Sequence, residues 1–159
     1  MGFTIKANDD ELQALYDYLH QMNADNSLTD FLELRIEAPD LDTVYMTFDM
    51  HERLTGNPTL RTLHGGVIAT VMDLVGANVT FQHVFKMFKG APFEKQLEQF
   101  SKVGTIDLRV DYLQPGRGER FKAKGWALRA GNKVVVARME LHNEKSVLIA
   151  VGTGAYSIG

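Results

Sequence analysis

The sequence predicts an α+β fold in which a curled antiparallel β-sheet wraps around one long central helix. Residues from about 65 to 81 are apolar on almost every side. A helix built from them has no face suited to water, so other elements must enclose it. From residue 105 onward the chain reads as successive strands joined by short turns, which is typical of an antiparallel sheet.

The bulk composition is that of an ordinary globular domain of 159 residues, 45% apolar and 23% charged. The net charge of −3 gives no general basic surface for nucleic acid. The sequence contains no cysteine, so disulfides, cysteine nucleophiles and cysteine metal sites are excluded. We see no secretory pattern and no apolar run near the roughly 18 residues of a membrane span. We expect one domain over 1–159, in the cytoplasm, with no nucleic-acid or membrane partner.

The first half of the chain predicts a helix and then a hairpin. A helix is expected over about 9–22, because acidic residues occupy its first turn and apolar residues recur at helical spacing. Residues 31–38 alternate apolar and charged side chains, which predicts a half-buried strand. A turn at Pro39 and Asp40 leads into a second strand over 43–50. The segment from there to the central helix reads as a loop.

The second half predicts a long helix, an irregular segment and four strands. We expect the central helix to run from about Gly65 to Phe81. Residues 84–104 form an irregular excursion that holds a short helix, since Gly90 and Pro92 interrupt the run before apolar residues recur at helical spacing. Strands joined by hairpin turns are then predicted over 105–113, 120–129, 133–142 and 147–158.

The central helix opens with His64-Gly65-Gly66, which we interpret as a binding site for an anion or for a carbonyl oxygen that becomes one. The first amides of a helix lack intrahelical acceptors and lie at the positive end of the helix dipole. Glycine lets a ligand approach that backbone closely, which suits an oxygen that gains negative charge. A structural interpretation stays open, in which the glycines accommodate the backbone and His64 caps the helix or packs in the core.

One carboxylate, Asp73, lies in the middle of this apolar helix. A buried carboxylate without partners is costly or takes up a proton, so Asp73 is catalytic, is a satisfied structural residue or faces solvent. Gly66 and Asp73 share a helix face but lie about 10 Å apart along its axis. Catalytic contacts need about 3 Å, so one chain cannot present both groups to one carbonyl. If both serve one reaction, two antiparallel helices must share the site at a two-fold interface.

Three motifs carry a family resemblance: LHGGVIATVMD at 63–73, TIDLRVDYLQP at 105–115 and LRAGNKVVVARMEL at 128–141. This ordered set resembles the hotdog-fold acyl-CoA thioesterases of the PaaI-like group, over about residues 28–159. The block that begins at Gly104 looks very like the bacterial YigI type of this group, whose members are medium- and long-chain acyl-CoA thioesterases.

The resemblance implies a hotdog fold, hydrolysis of acyl-CoA to free acid and CoA, and no metal or other cofactor. Two sites lie between the protomers of a homodimer, which can pair into a homotetramer. The resemblance makes Asp73 the catalytic carboxylate, as nucleophile or as general base on water. It gives the carbonyl-polarising amide to Gly66 and a supporting role at the carbonyl end to His64. Asn57 and Thr105 fall where family members place water or substrate.

Four further residues are candidates for substrate contacts. Gly65 shares the open helix start, and Arg129 and Lys133 lie at strand turns from which they can meet the CoA phosphates. The alternative for both basic residues is ordinary solvated surface charge. Phe81 belongs to an aromatic cluster that forms either core or dimer packing, or else the wall of an acyl tunnel.

Three other functions stay open from the sequence. The chain is alternatively a non-hydrolytic acyl-CoA binding or sensing module, a thioesterase for an aromatic acyl-CoA, or a hydratase of the same fold. The histidines outside the His-Gly-Gly motif show no metal-ligand spacing. Chain-length preference and the choice between dimer and tetramer are not fixed by any motif.

Overall fold

The order of helices and strands is taken from a computed structural model, which describes residues 9–37 and 40–159. Within these ranges the helices are α1 (Asp9–Asn23), α2 (Ser27–Phe31), α3 (Gly65–Met87) and α4 (Phe93–Phe100). A 3₁₀ turn spans Glu52–Leu54. The strands are β1 (Arg35–Ile36), β2 (Thr43–Asp49), β3 (Thr55–Asn57), β4 (Thr62–Leu63), β5 (Gly104–Tyr112), β6 (Arg120–Ala130), β7 (Val134–Asn143) and β8 (Leu148–Ser157).

The main sheet has six antiparallel strands in the order β1-β2-β6-β7-β8-β5, and its inner face wraps around α3. Val71, Met72 and Val75 of the helix are fully buried against this face. Glycine on the strands lets the helix approach closely, because a Cβ at Gly125 would lie 2.6 Å from Val75 Cγ1. The predicted α+β class and the helix enclosed by a sheet are therefore confirmed.

Helix α1 covers part of α3 through apolar and amide contacts. Leu15 and Leu19 of α1 are fully buried in the common core. Asn23, at the end of α1, donates from Nδ2 to Oδ1 of Asn78 over 2.8 Å. Asn78 donates in turn to the backbone carbonyl of Leu74 over 2.9 Å. These bonds satisfy two buried amide side chains, so the polar pair is tolerated inside the core.

Helix α3 runs to Met87, six residues beyond the predicted end at Phe81. The extension is stabilised because Val84 is fully buried and Phe85 packs on Tyr18, with ring centroids 5.3 Å apart. Among the described residues, α3 is long and apolar enough by length and composition to cross a membrane, although we expected no such run. Its apolar window is 56% buried inside the protein, as in the core helix of an α+β fold.

The excursion predicted for 84–104 holds the end of α3 and the short helix α4. Gly90 adopts a φ of +81°, which glycine reaches without strain and which separates the two helices. Phe100 of α4 packs against Phe81 of α3 with ring centroids 4.1 Å apart. Helix α4 is thereby held against the middle of α3.

The strand predicted over 31–38 is reduced to the two residues of β1, and Phe31 ends α2 instead. The side chain of Asn26 caps α2 by accepting from the N–H groups of Leu28 and Thr29. Leu32, Leu34 and Ile36 are nevertheless buried, as their alternation predicts. In the predicted turn, Asp40 accepts from the N–H of Asp42 over 2.8 Å, whereas Pro39 lies outside the described residues.

Two predicted connections differ in the structure. β5 does not form a hairpin with β6 but pairs with β8 at the edge of the sheet, and residues 113–119 cross the fold to reach β6. The segment predicted as a loop before His64 contains the 3₁₀ turn and the small β3–β4 hairpin. Alternation of side chains determines which face of a strand is buried, but it does not determine which strand lies beside it.

Candidate active site

Asp73 lies half-buried on α3, and its carboxylate is held by a strand residue. The Thr105 hydroxyl donates to Oδ1 of Asp73 over 2.9 Å. No lysine or arginine among the described residues forms an ion pair with this carboxylate. Thr105 is exposed at the start of β5, so the Asp73–Thr105 pair lies near the protomer surface. The Thr105 hydroxyl thus fixes one oxygen of the Asp73 carboxylate.

Tyr156 of β8 supports the helix under this carboxylate. Its hydroxyl donates to the backbone carbonyl of Asp73 over 3.3 Å, and its side chain is fully buried. The ring fits only because residue 76 is glycine, since a Cβ there would lie 2.1 Å from Oη. Burial, and then the charge of Asp73, raise the pKa of Tyr156 well above its usual value, so its hydroxyl stays a donor.

The start of α3 is capped by the histidine of the motif. Nδ1 of His64 accepts from the N–H of Gly66 over 2.9 Å. The N–H groups of Val67 and Ile68 donate to the backbone carbonyl of His64. Among the described residues, the Gly65 N–H is left as the first-turn amide without an acceptor. The amide we expected to polarise a carbonyl, that of Gly66, is therefore occupied by His64 in this structure.

Tyr112, the last residue of β5, contacts the same helix start. Its hydroxyl donates to the Gly65 carbonyl oxygen over 3.0 Å. Beside this contact lies an open cleft of about 370 Å³, lined by both residues together with Ile68, Leu113 and Pro115. Tyr112 lies within the motif at 105–115, but the sequence alone assigns it no role.

The other predicted site residues are divided between the two ends of α3. Asn57 is exposed on β3, near His64, and its Oδ1 accepts from the N–H of Leu60 over 3.1 Å. Arg129 and Lys133 are exposed at the β6–β7 hairpin. That hairpin lies against the other end of α3, where Nε2 of His83 is 3.2 Å from the Gly131 carbonyl oxygen.

Within one protomer the structure does not bring the helix start and the carboxylate together. Gly65, Gly66 and Asp73 lie on one continuous helix, so the first-turn amides are about 10 Å from the carboxylate along the axis. A thioester carbonyl cannot contact an amide and a carboxylate that far apart. In the described ranges, no three histidine, aspartate or glutamate side chains lie close enough to hold a metal ion.

A sheet around a helix that starts His-Gly-Gly and carries a carboxylate nine residues after the histidine defines the class of hotdog-fold thioesterases. Residues 60–150 match the Thioesterase superfamily, so the chain belongs to this family. It is 41% identical over 128 residues to the medium/long-chain acyl-CoA thioesterase YigI of Escherichia coli K12, covering 80% of this chain and 83% of YigI. It is 28% identical over 141 residues to a putative esterase of Halobacterium salinarum, covering 84% and 85%.

Solved structures show the same fold. A thioesterase-superfamily protein of Shewanella oneidensis aligns with a TM-score of 0.87 at 39% identity, covering 96% of this chain and all of the other. The PaaI protein of Escherichia coli aligns with a TM-score of 0.74 over 92% of this chain and 94% of PaaI, at 16% identity, which shows the fold alone. The predicted hotdog fold and the resemblance to the PaaI-like group and YigI are confirmed.

Proposed function

We propose that this protein hydrolyses medium- to long-chain acyl-CoA thioesters to free acid and CoA. The observation that carries the proposal is the half-buried Asp73 carboxylate, which has one oxygen held by the Thr105 hydroxyl. A thioester hydrolase needs an activated oxygen nucleophile and a donor for the oxyanion. The substrate class is supported by YigI, the relative named as a medium/long-chain acyl-CoA thioesterase.

We further propose that two protomers share each site, because one protomer cannot supply both the amide and the carboxylate. Strand β5 is the edge of the main sheet, and its Ile106 and Tyr112 are 57% and 54% exposed. An open edge strand with apolar side chains is suited to pairing with another strand. In the proposed homodimer, β5 pairs with β5 of the second copy and the sheet continues from one protomer into the other.

Charges on β5 distinguish between registers for this pairing. Residues directly opposite in an antiparallel pair lie on the same face of the sheet. If Leu108 lies opposite Leu108 of the second copy, Asp107 of each chain lies opposite Arg109 of the other. A shift by two residues would instead oppose Arg109 to its own copy and Asp107 to Asp111. Coulomb attraction favours the first register over this shift, whereas a register centred on Val110 would also oppose unlike charges, Arg109 to Asp111.

The register centred on Leu108 also assembles the site. Thr105 and Tyr112 lie on either side of Leu108. Thr105 of one chain therefore approaches Tyr112 of the second copy across the two-fold axis. Thr105 bonds Asp73, and Tyr112 bonds Gly65. The axis therefore brings the helix start of one protomer towards the carboxylate of the other, which is the arrangement that the separation along α3 requires.

The proposed reaction uses water activated by Asp73. The thioester carbonyl accepts from the open Gly65 N–H, at the positive end of the helix dipole. The Thr105 hydroxyl already donates to Asp73, so its lone pairs are free to accept a hydrogen bond from water. Asp73 takes the proton as the water oxygen attacks the carbonyl carbon. The tetrahedral intermediate then expels the CoA thiolate, which receives that proton from Asp73.

The remaining predicted residues have supporting or open roles in this proposal. The Gly66 amide joins the carbonyl site only when His64 turns away from it. Arg129 and Lys133 are candidates for the CoA phosphates, and Asn57 for placing substrate. Phe81 packs on Phe100, which supports the packing alternative over a tunnel wall. We also propose that the enzyme is cytoplasmic and uses no metal, and that its dimers can pair into a homotetramer.

The test is CoA release from a panel of acyl-CoAs from acetyl to palmitoyl, with benzoyl and phenylacetyl included. We expect release that is fastest with medium and long chains. A preference for the aromatic substrates would overturn the proposed chain-length class while leaving thioester hydrolysis. Binding of acyl-CoA without release from any substrate would overturn hydrolysis and support the binding module.

A further inference from the structure

We propose that Tyr112 is a positioning residue that fixes the first peptide of α3 for a reaction at the carboxylate of the other protomer. The inference rests on the proposed function, because it assigns a role within the shared thioesterase site. It concerns a residue that touches neither the carboxylate nor its threonine in its own protomer.

Two hydrogen bonds hold a single peptide group from opposite sides. The Tyr112 hydroxyl donates to the carbonyl oxygen of Gly65 over 3.0 Å. The N–H of Gly66 donates to Nδ1 of His64 over 2.9 Å. That carbonyl and that N–H belong to the same planar peptide group. A donor on the carbonyl polarises the group and strengthens the bond that its N–H makes.

The ring of Tyr112 adds a packing restraint to these bonds. A Cβ built on Gly65 would lie 3.5 Å from Cε1 of Tyr112, so the ring lies in contact distance on the open side of the glycine. Two consecutive glycines leave the backbone freer than any other residue pair. An oxyanion donor is effective only when it is already aimed at the developing charge. The tyrosine therefore restricts backbone rotation at Gly65, and this keeps the Gly65 N–H pointing in one direction.

The role of Tyr112 is exerted across the dimer. Tyr112 contacts Gly65 of its own protomer, and about 12 Å of helix separates that glycine from Asp73 of the same chain. The thioester carbonyl that accepts from this Gly65 N–H is attacked by water, and the partner's Asp73 activates that water. A change at Tyr112 consequently impairs the site that contains the partner's Asp73.

The first test is Tyr112→Phe, which keeps the ring and removes the hydroxyl. We expect kcat for the best acyl-CoA to fall about threefold to tenfold, the range for one lost hydrogen bond, with KM near the wild-type value. Tyr45→Phe is the control, since Tyr45 lies on β2 and its ring contacts Lys122 rather than α3. An unchanged kcat in Tyr112→Phe would overturn the inference.

The second test separates a role across the dimer from a local structural one. Two differently tagged chains, one carrying Tyr112→Phe and the other Asp73→Ala, are co-expressed and the heterodimer is isolated. If Tyr112 acts across the dimer, one of the two sites is fully wild type. The heterodimer then shows about half the activity of the wild-type dimer.

A role of Tyr112 within its own chain predicts a different activity for the heterodimer. If Tyr112 acts on the carboxylate of its own chain, the single intact Asp73 always works with the altered tyrosine. The heterodimer then shows about half the activity of the Tyr112→Phe homodimer, and the inference is overturned. The Asp73→Ala homodimer tests the proposed function separately: wild-type activity there would contradict that function, whereas an inactive homodimer leaves the two heterodimer outcomes to decide the role of Tyr112.

Discussion

The hydroxyl of Thr105 donates a hydrogen bond to the carboxylate of Asp73 over 2.9 Å, from a strand 32 residues further along the chain. This bond joins the edge strand β5 to the middle of the core helix α3. It holds one oxygen of the carboxylate in a fixed position. The proposed mechanism depends on that position, because the attacking water must contact both the Thr105 hydroxyl and the Asp73 carboxylate.

Replacing Thr105 tests this relationship directly. Thr105→Val keeps the branched shape and removes the donor, and we expect kcat to fall about tenfold to a hundredfold, as for a lost hydrogen bond to a charged group. Thr105→Ser keeps the hydroxyl and should retain most of the activity. Steady-state CoA release measures both variants. Equal activity of Thr105→Val and wild type would contradict the role of the bond.

Changing His64 should alter the stability of the helix start. Nδ1 of His64 accepts the Gly66 N–H, so His64→Ala leaves that amide to water, and we expect the free energy of unfolding to fall by about 1 kcal/mol. His64→Asn keeps an acceptor at the cap position and should lose less. Urea denaturation of the three proteins provides the comparison. A His64→Ala protein as stable as wild type would show that the cap contributes nothing.

Two buried tyrosines should respond in opposite ways to loss of their hydroxyls. Tyr18 Oη is buried and has no hydrogen-bond partner among the described residues. Tyr18→Phe should therefore leave the free energy of unfolding unchanged or raise it by about 1 kcal/mol. Tyr156→Phe loses the bond to the Asp73 backbone carbonyl and should lower it by about 1 kcal/mol. Loss of stability in Tyr18→Phe would reveal a partner for that hydroxyl.

The buried Tyr18 ring should make the free energy of unfolding depend on pH. Burial raises the pKa of Tyr18 to about 12, whereas an unfolded tyrosine titrates near pH 10. Because the folded pKa is the higher one, the stability from the neutral ring is complete below about pH 10 and is lost as pH rises through about 12. Between about pH 9 and about pH 11.5, the free energy of unfolding should fall less for Tyr18→Phe than for wild type.

Isotope labelling tests for nucleophilic attack by Asp73 through an anhydride that water opens at the aspartate carbon. In the proposed reaction, water attacks the carbonyl and the enzyme never forms an anhydride. After many turnovers in ¹⁸O-labelled water, the acid product should carry the label and the peptide containing Asp73 should not. Mass spectrometry of the digested enzyme makes the measurement. Label in that peptide would assign Asp73 as the nucleophile.

Local patterns in the sequence predicted the parts of the site but not their contacts. The change to unbroken apolar sequence at His64-Gly65-Gly66 located the start of α3, and the lone acid in that helix identified Asp73. Alternation located β5 as a strand. It could not show that β5 pairs with β8, because strand order depends on pairing between distant segments. The contact of Tyr112 with Gly65 follows from that pairing and was therefore missed.

Near the other end of the chain, Asn26 is a second case in which a local sequence pattern does not predict the structure. The alternation over 31–38 predicted the burial of Leu32 and Leu34 correctly. Asn26, however, caps a short helix through Phe31, and the Leu34 N–H then bonds the Thr29 carbonyl rather than a neighbouring strand. A local capping bond thus outweighed a strand pattern that extended over only a few residues.

The most direct test of the central claim is CoA release by Asp73→Asn, measured beside the binding of a non-hydrolysable acyl-CoA analogue. Asp42→Asn serves as the control, since it removes an exposed carboxylate that pairs with Lys86, which lies 13 residues further along α3 than Asp73. We predict that Asp73→Asn binds the analogue but loses at least about a hundredfold in kcat, while Asp42→Asn resembles wild type. Turnover by Asp73→Asn at the wild-type rate would contradict the account.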